Sequence, residues 1–463
     1  MDSAFWGKMR VIKRILPLIA VIAIVASSLI FFGVTLSRDD GLNISEPNLA
    51  SSATISGSAG CGAAFDNSRV TGWNIPCGGK EAIVHFGETE SVNALVLNEV
   101  GFNITKFSIY FHIDGEWELC YRQNEIGVNR LATFYTVVTD KIKITVDEVK
   151  ASAIISDIRV YNLLPRERDN QFRVTSYVKP AAIKEGRIDS AWLDTVTHVQ
   201  LFPYAYFDVD GGLVNEEDEA LSMLREMIGG RDVKIFLGIL APESGATMAE
   251  VYERHMDASV DSVADCVLAT GADGADFDWE YPSGKKQWRL YGDYIIKLHA
   301  KLAPHGKQVT VALSPWGVDL EDEAIKCIDQ LQLMSYDLFD HNGDNNSYAG
   351  GVETSVAYFL KLGFKREQIN LGISYYGRPR DGSFKWYDYK DPRFTPDEYI
   401  MYQDGVWFNT PTTVRDKTVY SILKGLGGVM IFAQDEDLPM DDKLSLTRSI
   451  SQAKSAFCKE VLK

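Results

Sequence analysis

The sequence predicts a multidomain chain of three parts: a membrane-spanning N-terminal helix, a β-sandwich module of jelly-roll type, and a (β/α)8 barrel. Three observations predict it. Basic residues Lys8, Arg10, Lys13 and Arg14 precede an uncharged run from Ile15 to Leu36. Short alternating apolar runs fill residues 52–164 with hardly any helical periodicity, and beyond Pro165 strand-like runs alternate with helical ones. With 46% hydrophobic residues and 9 Trp, 21 Tyr and 22 Phe among 463 residues, the chain can fill several cores, which excludes disorder as its overall state.

The first part is read as a cytosolic tail and signal anchor, residues 1–37. About 20 apolar residues cross a bilayer as one helix, and positive charge on the N-terminal side keeps the tail in the cytosol. No small-x-small cleavage site follows, so the expectation is a single-pass protein of the cell membrane with its C-terminal part extracellular; a cleaved signal peptide and a secreted protein is the alternative. Residues 38–51 are polar and read as a linker.

In residues 52–164, Phe107, Ile109, Phe111 and Ile113 share one face of a strand, Asp114-Gly115 signals a hairpin turn, and Trp117, Leu119 and Tyr121 continue the next strand, with Trp117 expected in the core. The spacing of AIVHFGETESVNALVLNEVG, ITKFSIYFHIDGEWELCY, FYTVVTDKIKITV and ISDIRVYNL resembles a discoidin-like carbohydrate-binding module. The resemblance implies ligand contacts from loops at one end of the sandwich. Trp73, Asn74 and the segment around Cys77 fall in such a loop, where Trp73 either stacks on a sugar or plugs the sandwich end.

From residue 165 to 463, eight apolar runs fit the strands of a TIM barrel. They are Phe172 to Val178, Val196 to Phe207, Val233 to Leu240, Ala275 to Tyr281, Val309 to Pro315, Ile328 to Tyr336, Ile369 to Tyr376 and Gly428 to Ala433. Between them, Val260, Val263, Ala264, Val267 and Leu268 form one helical stripe, and Trp288, Tyr291, Ile295, Leu298 and Leu302 form another.

Charge and reactive residues narrow the chemistry. The net charge of −17, with no basic block after the first fifteen residues, argues against nucleic acid as the main partner. Seven scattered His and six Cys without a Cys-x-x-Cys pair give no support to a metal site or a cofactor. Cys61 and Cys77 are close enough to bridge a loop in an oxidising compartment, and the other four Cys read as core residues. Asn43, Asn103 and Asn345 lie in glycosylation sequons.

The most informative segment is GADGADFDWEYP, Gly271 to Pro282. On a strand from Ala275 to Tyr281, Asp276, Asp278 and Glu280 alternate onto one face while Phe277 and Trp279 take the other. The outer face of a parallel barrel meets helices and must be apolar, so the three acids are expected to point inward. Burying three carboxylates on one strand costs several kcal/mol unless they share protons, and barrel enzymes keep their sites at this end of the strands. Glu280 is therefore the candidate general acid, and Asp278 a holder of a shared proton or an orienter of substrate.

DGADFDWE is similar to the D-G-x-D-x-D-W-E signature of family 18 glycoside hydrolases, the chitinases and endo-β-N-acetylglucosaminidases, with Asp273, Asp276, Asp278 and Glu280 filling every acidic position. FPYAYFDVDGGL from Phe202, LMSYD with Met334, Tyr336 and Asp337, LGISYYGR with Tyr376 and Arg378, and GGVMIFAQDED from Gly427 resemble other strands of that family in the same order. The resemblance implies a retaining endo-glycosidase acting on β-1,4 links after N-acetylglucosamine. In that scheme Glu280 protonates the glycosidic oxygen and the sugar's own 2-acetamido carbonyl displaces the leaving group, without the usual carboxylate nucleophile. It also implies that Asp278 orients the acetamide and shares a proton with Asp276, that Tyr336 donates to the acetamide oxygen, and that Asp273, Met334, Asp337, Tyr376, Arg378 and Phe432 line the substrate.

Three departures set expectations. Phe432 stands where the family has a Trp under the cleaved sugar, the third strand reads KIFLGILAPES without Ser-x-Gly-Gly, and the stretch from Arg378 to Gly427 is too short for a deep-groove insertion, which implies an open cleft. Trp386, Trp407 and Phe408 either wall that cleft or cover the barrel end. The expected partner is an N-acetylglucosamine glycan: a chitin oligomer, an N-glycan core or peptidoglycan. The alternative readings are a peptidoglycan N-acetylglucosaminidase and a non-catalytic lectin of the same fold.

Overall fold

The computed structural model describes residues 42–242, 247–338, 351–381, 383 and 385–461. The predicted anchor and the Asn345 sequon lie outside them, and no described helix is long and apolar enough to cross a membrane.

Eight parallel strands close into a barrel, each where the apolar runs placed it: Arg173–Val178, His198–Phe207, Lys234–Leu240, Gly274–Asp278, Gln308–Leu313, Gln330–Leu333, Ile369–Ser374 and Gly428–Phe432. The eighth pairs with the first and the first with the second, which completes the ring. Helix Met248–Thr270 shows how the fourth strand is aimed. A capping box of Thr247 and Glu250 starts it, and Gly271, at φ +73°, ends it in the left-handed region that glycine reaches without strain. Three residues on, Gly274 begins the strand where a Cβ would lie 2.2 Å from the carbonyl oxygen of Gln308, so only glycine admits the fifth strand at that distance. The predicted stripes of this helix and of helix Gly284–Leu302 are buried against the barrel, with Leu268 at the edge more open.

Inside the barrel the filling is polar as well as apolar. Asn370 donates to Gln330 and Gln332 at 3.0 Å each, and Arg173 donates to Asn370 at 2.9 Å. Buried amides in a closed ring need such partners.

Residues 54–161 form a seven-stranded antiparallel sheet with an apolar cluster of its own. Two long strands, Lys80–Val100 and Arg130–Val149, pair along most of their length and carry the rest. Trp73 is fully enclosed in this cluster, at the start of the edge strand Trp73–Ile75 instead of in a loop, which corrects its assignment to a sugar-stacking site: it is a core residue. Trp117 is corrected in the opposite sense. It lies half-buried on the outer face, with the Lys143 ammonium 4.6 Å from its ring and His112 beside it. All six cysteines are free thiols, so the proposed Cys61–Cys77 bridge is not formed, and the four others are only half-buried.

The expected linker is packed instead of loose from Leu42 onward. Leu42 is buried in the barrel's cluster, and Glu46 accepts from the two terminal guanidinium nitrogens of Arg166, at 2.6 and 2.9 Å, and from the Leu164 amide. Partial burial raises the Glu46 pKa, but these donors outweigh it and bring it down to about 2. Polar composition suggested a linker; a bidentate ion pair at the junction of the two parts makes it a strap.

Helix Pro411–Leu423 is buried along its whole length between barrel and module. Asp416 on it accepts from the Tyr121 hydroxyl at 2.7 Å, the Thr133 amide at 2.8 Å and the Thr133 hydroxyl at 2.6 Å, while Arg415 donates to the Thr133 carbonyl at 2.9 Å. Asp416→Ala strands three buried donors. It is expected to lower stability by about 3 kcal/mol in thermal unfolding, with Asp416→Asn losing less.

Candidate active site

The fourth strand delivers its acids at graded depth. Asp276 is enclosed inside the barrel, with Oδ2 accepting from the Tyr177 hydroxyl at 2.6 Å and Oδ1 from the Thr310 hydroxyl. Burial raises its pKa, and these two donors hold the rise to about 6. Asp278 ends the strand, and its Oδ1 is buried without a hydrogen-bond partner among the described residues. Burial, then the charges of Glu280 and Asp276, push its pKa well above the carboxylate range.

Glu280 departs from the expected inward strand position. The strand stops at Asp278, and Glu280 lies two residues further, open to solvent at the mouth. The alternation still holds on the other face, where Phe277 is buried and Trp279 packs on Tyr252 and Tyr291. The wall around Glu280 removes part of its hydration and raises its pKa; a hydrogen bond with Tyr281 opposes that and the Asp337 charge adds to it.

Of the remaining predicted residues, Met334, Tyr336 and Tyr376 form one cluster at the mouth with Tyr177, Met430 and Ala433, and Phe432 packs against it. Asp337 accepts from the Tyr376 hydroxyl at 2.8 Å and lies 3.2 Å from the Arg378 guanidinium. Phe432 is half-buried at the end of the eighth strand, across the ring from the fourth, 5.5 Å from the Tyr177 ring and 6.3 Å from that of Tyr376, and so forms a floor between those two rings. Asp273 is a correction. It sits before the strand, at the far end of the barrel, where its carboxylate accepts from the Ile235 amide at 2.9 Å and its backbone ties the third and fifth strands; it is a structural link with no access to substrate.

Sequence reasoning missed Tyr177, Thr310, Tyr281 and Trp316. Tyr281 and Trp316 are 43% and 48% exposed, with ring centroids 6.1 Å apart, and Ser314 donates to the Tyr281 hydroxyl. Ser-Pro-Trp directly after the fifth strand was the available signal, because that is where barrel loops reach the mouth. Trp386, 52% exposed and 5.7 Å from the Tyr376 ring, walls the mouth, whereas Phe408 is buried beneath Gly377 as cover and Trp407 pairs with Tyr402.

Adjacent buried carboxylates beneath an acid at the C-terminal mouth of a barrel, ringed by exposed aromatic side chains, define a glycoside hydrolase site. The sequence profile of the glycosyl hydrolases of family 18 matches residues 173–437, and the chain belongs to that family. Among curated proteins it is 27% identical over 237 residues to Endochitinase 1 of Metarhizium robertsii and 28% identical over 142 residues to Probable chitinase 2 of Drosophila melanogaster. These matches cover 39% and 26% of this chain, and it spans 55% and 28% of those relatives. A family 18 chitinase from the chitin utilization locus of Flavobacterium johnsoniae superposes with a TM-score of 0.53 at 19% identity, over 63% of this chain and 96% of that one. A family 18 N-acetylglucosaminidase from Paenibacillus barengoltzii gives 0.51 at 19%, over 61% and 100%. At that identity the likeness establishes the barrel.

Proposed function

We propose that this chain is a retaining endo-glycosidase that cuts β-1,4 links after N-acetylglucosamine, with the substrate's acetamide as nucleophile. Asp278 carries the reading. A buried carboxyl oxygen without a donor, between two other acids, is an acceptor waiting for an N–H. In the proposed reaction Glu280 gives its proton to the glycosidic oxygen, the leaving alcohol departs, and the acetamide oxygen closes on the anomeric carbon. Asp278 passes the proton it holds to the Asp276 carboxylate, accepts a hydrogen bond from the amide N–H and, now anionic, balances the oxazolinium charge. Water, deprotonated by the Glu280 carboxylate, then opens the ring from the face the leaving group left, so configuration is retained.

Tyr336, within electrostatic reach of Asp278, Asp337 and Glu280, supports the reading as a donor to the acetamide oxygen. Chitin oligomers are the favoured substrate because the exposed Trp386, Trp316 and Tyr281 offer stacking faces for successive sugars. Trp316→Ala is expected to raise KM for chitohexaose about tenfold, the loss of roughly one stacking contact, with kcat little changed. The overall test is turnover of 4-methylumbelliferyl chitobioside, with mass-spectrometric product profiles from chito-oligosaccharides, a high-mannose glycoprotein and purified peptidoglycan side by side. Release of the β-anomer first supports the reading, and inversion or binding without turnover overturns it.

The antiparallel module is proposed to be a discoidin-like sandwich that binds glycan, although not through Trp73. Residues 15–36 are proposed to hold the protein in the cell membrane with the barrel outside. Vesicle flotation of the full chain against a chain begun at residue 38 tests the anchor.

A further inference from the structure

Asp276 is held by a chain of donors that reaches back into the barrel. Its register partner in the third strand is Gly238, and that strand, Lys234–Leu240, contains no hydroxyl. Its partner in the fifth strand is Thr310, whose hydroxyl donates to Oδ1. Gln200, from the second strand, donates its amide N–H to the Thr310 oxygen at 3.3 Å. A hydroxyl has one proton to give, and an amide donor on its oxygen leaves that proton for the carboxylate. Tyr177 holds Oδ2 from the first strand.

We propose that Thr310, aimed by Gln200, is a positioning residue that keeps Asp276 ionised while the acids above it titrate, and so sets the acid limb of the reaction. The inference rests on the hydrolytic reading of the same site. Besides Thr310 and Gln200, Asp276 is faced by Tyr177, by Asp278 with Glu280 beyond it on its own segment, and by Tyr291 of helix Gly284–Leu302. None of these carries positive charge, so hydroxyl donors are what stabilises the anion. Asp276 is raised to about 6 with both donors present, and losing one must raise it further.

The test is the pH profile of kcat/KM for Thr310→Val, Thr310→Ser and Gln200→Leu beside the wild type. Activity is lost as pH falls through the Asp276 midpoint. Thr310→Val should therefore move the acid limb up by about one unit, a tenfold loss on its slope, and Thr310→Ser should restore it. Gln200→Leu should move it the same way by less. An unmoved limb in Thr310→Val, or a serine variant that behaves like the valine one, overturns the proposal. If Thr310→Val does not fold, an unmoved limb in Gln200→Leu does so instead. If the wild type hydrolyses no N-acetylglucosaminide, the hydrolytic reading has failed. The positioning role is then read from the carboxyl ¹³C titration of Asp276, identified by its loss in Asp276→Asn, whose midpoint Thr310→Val or Gln200→Leu must raise.

Discussion

Glu280→Gln is expected to lower kcat on chito-oligosaccharides by about 10³-fold or more, with the melting temperature nearly unchanged. The side chain is at the mouth, open to solvent, and the amide keeps its shape. What it loses is an ionisable proton. Burial by the surrounding wall and the nearby Asp337 charge raise the Glu280 pKa, which keeps the acid protonated to higher pH than an ordinary glutamate. The wild-type rate should fall as pH rises through that pKa, and the basic limb should vanish in the glutamine variant. Leaving-group chemistry separates this from a general disturbance. A dinitrophenyl glycoside departs without protonation, so its release should suffer far less than that of a sugar. An equal loss on both substrates would remove Glu280 from the role of acid.

The barrel was legible because its strands are long apolar runs separated by amphipathic helices, and both periodicities survive in a single sequence. The carboxylate strand was legible for a similar reason: an Asp-x-Asp alternating with Phe277 and Trp279 has one arrangement that keeps the helix-facing side apolar. The same alternation overreached at Glu280, because the strand ends two residues earlier and periodicity does not mark its own end. Asp273 was misplaced because motif membership says nothing about which end of a strand a residue occupies; it caps the Ile235 amide below the strand. Thr310 and Gln200 were invisible, since a hydroxyl and an amide inside a barrel acquire meaning only when register sets them beside Asp276. The strap at Glu46 escaped for the same reason, its Arg166 partner being far away in sequence.

Asp278→Asn should lower kcat on N-acetylated substrates by about 10² to 10³-fold and at the same time make the protein more stable. Asn retains an oxygen for the amide N–H but not the negative charge that an oxazolinium ion calls for, so the loss falls on the chemical step. Unlike the Glu280 variant, it should not depend on the leaving group, and binding of an N-acetylglucosamine thiazoline should weaken in parallel. The stability sign follows from the raised pKa. The folded state holds a proton on the buried Asp278 that the unfolded chain releases above its ordinary value of 3.8, so the wild type loses stability as pH rises past that value. Asn does not titrate. The variant should gain about 2 kcal/mol at pH 7 and little near pH 3 in denaturant unfolding. A variant that turns over within a few-fold of wild type would show that the acetamide is not the nucleophile. One that is slower but no more stable would show that Asp278 is not the uncompensated buried acid of this site.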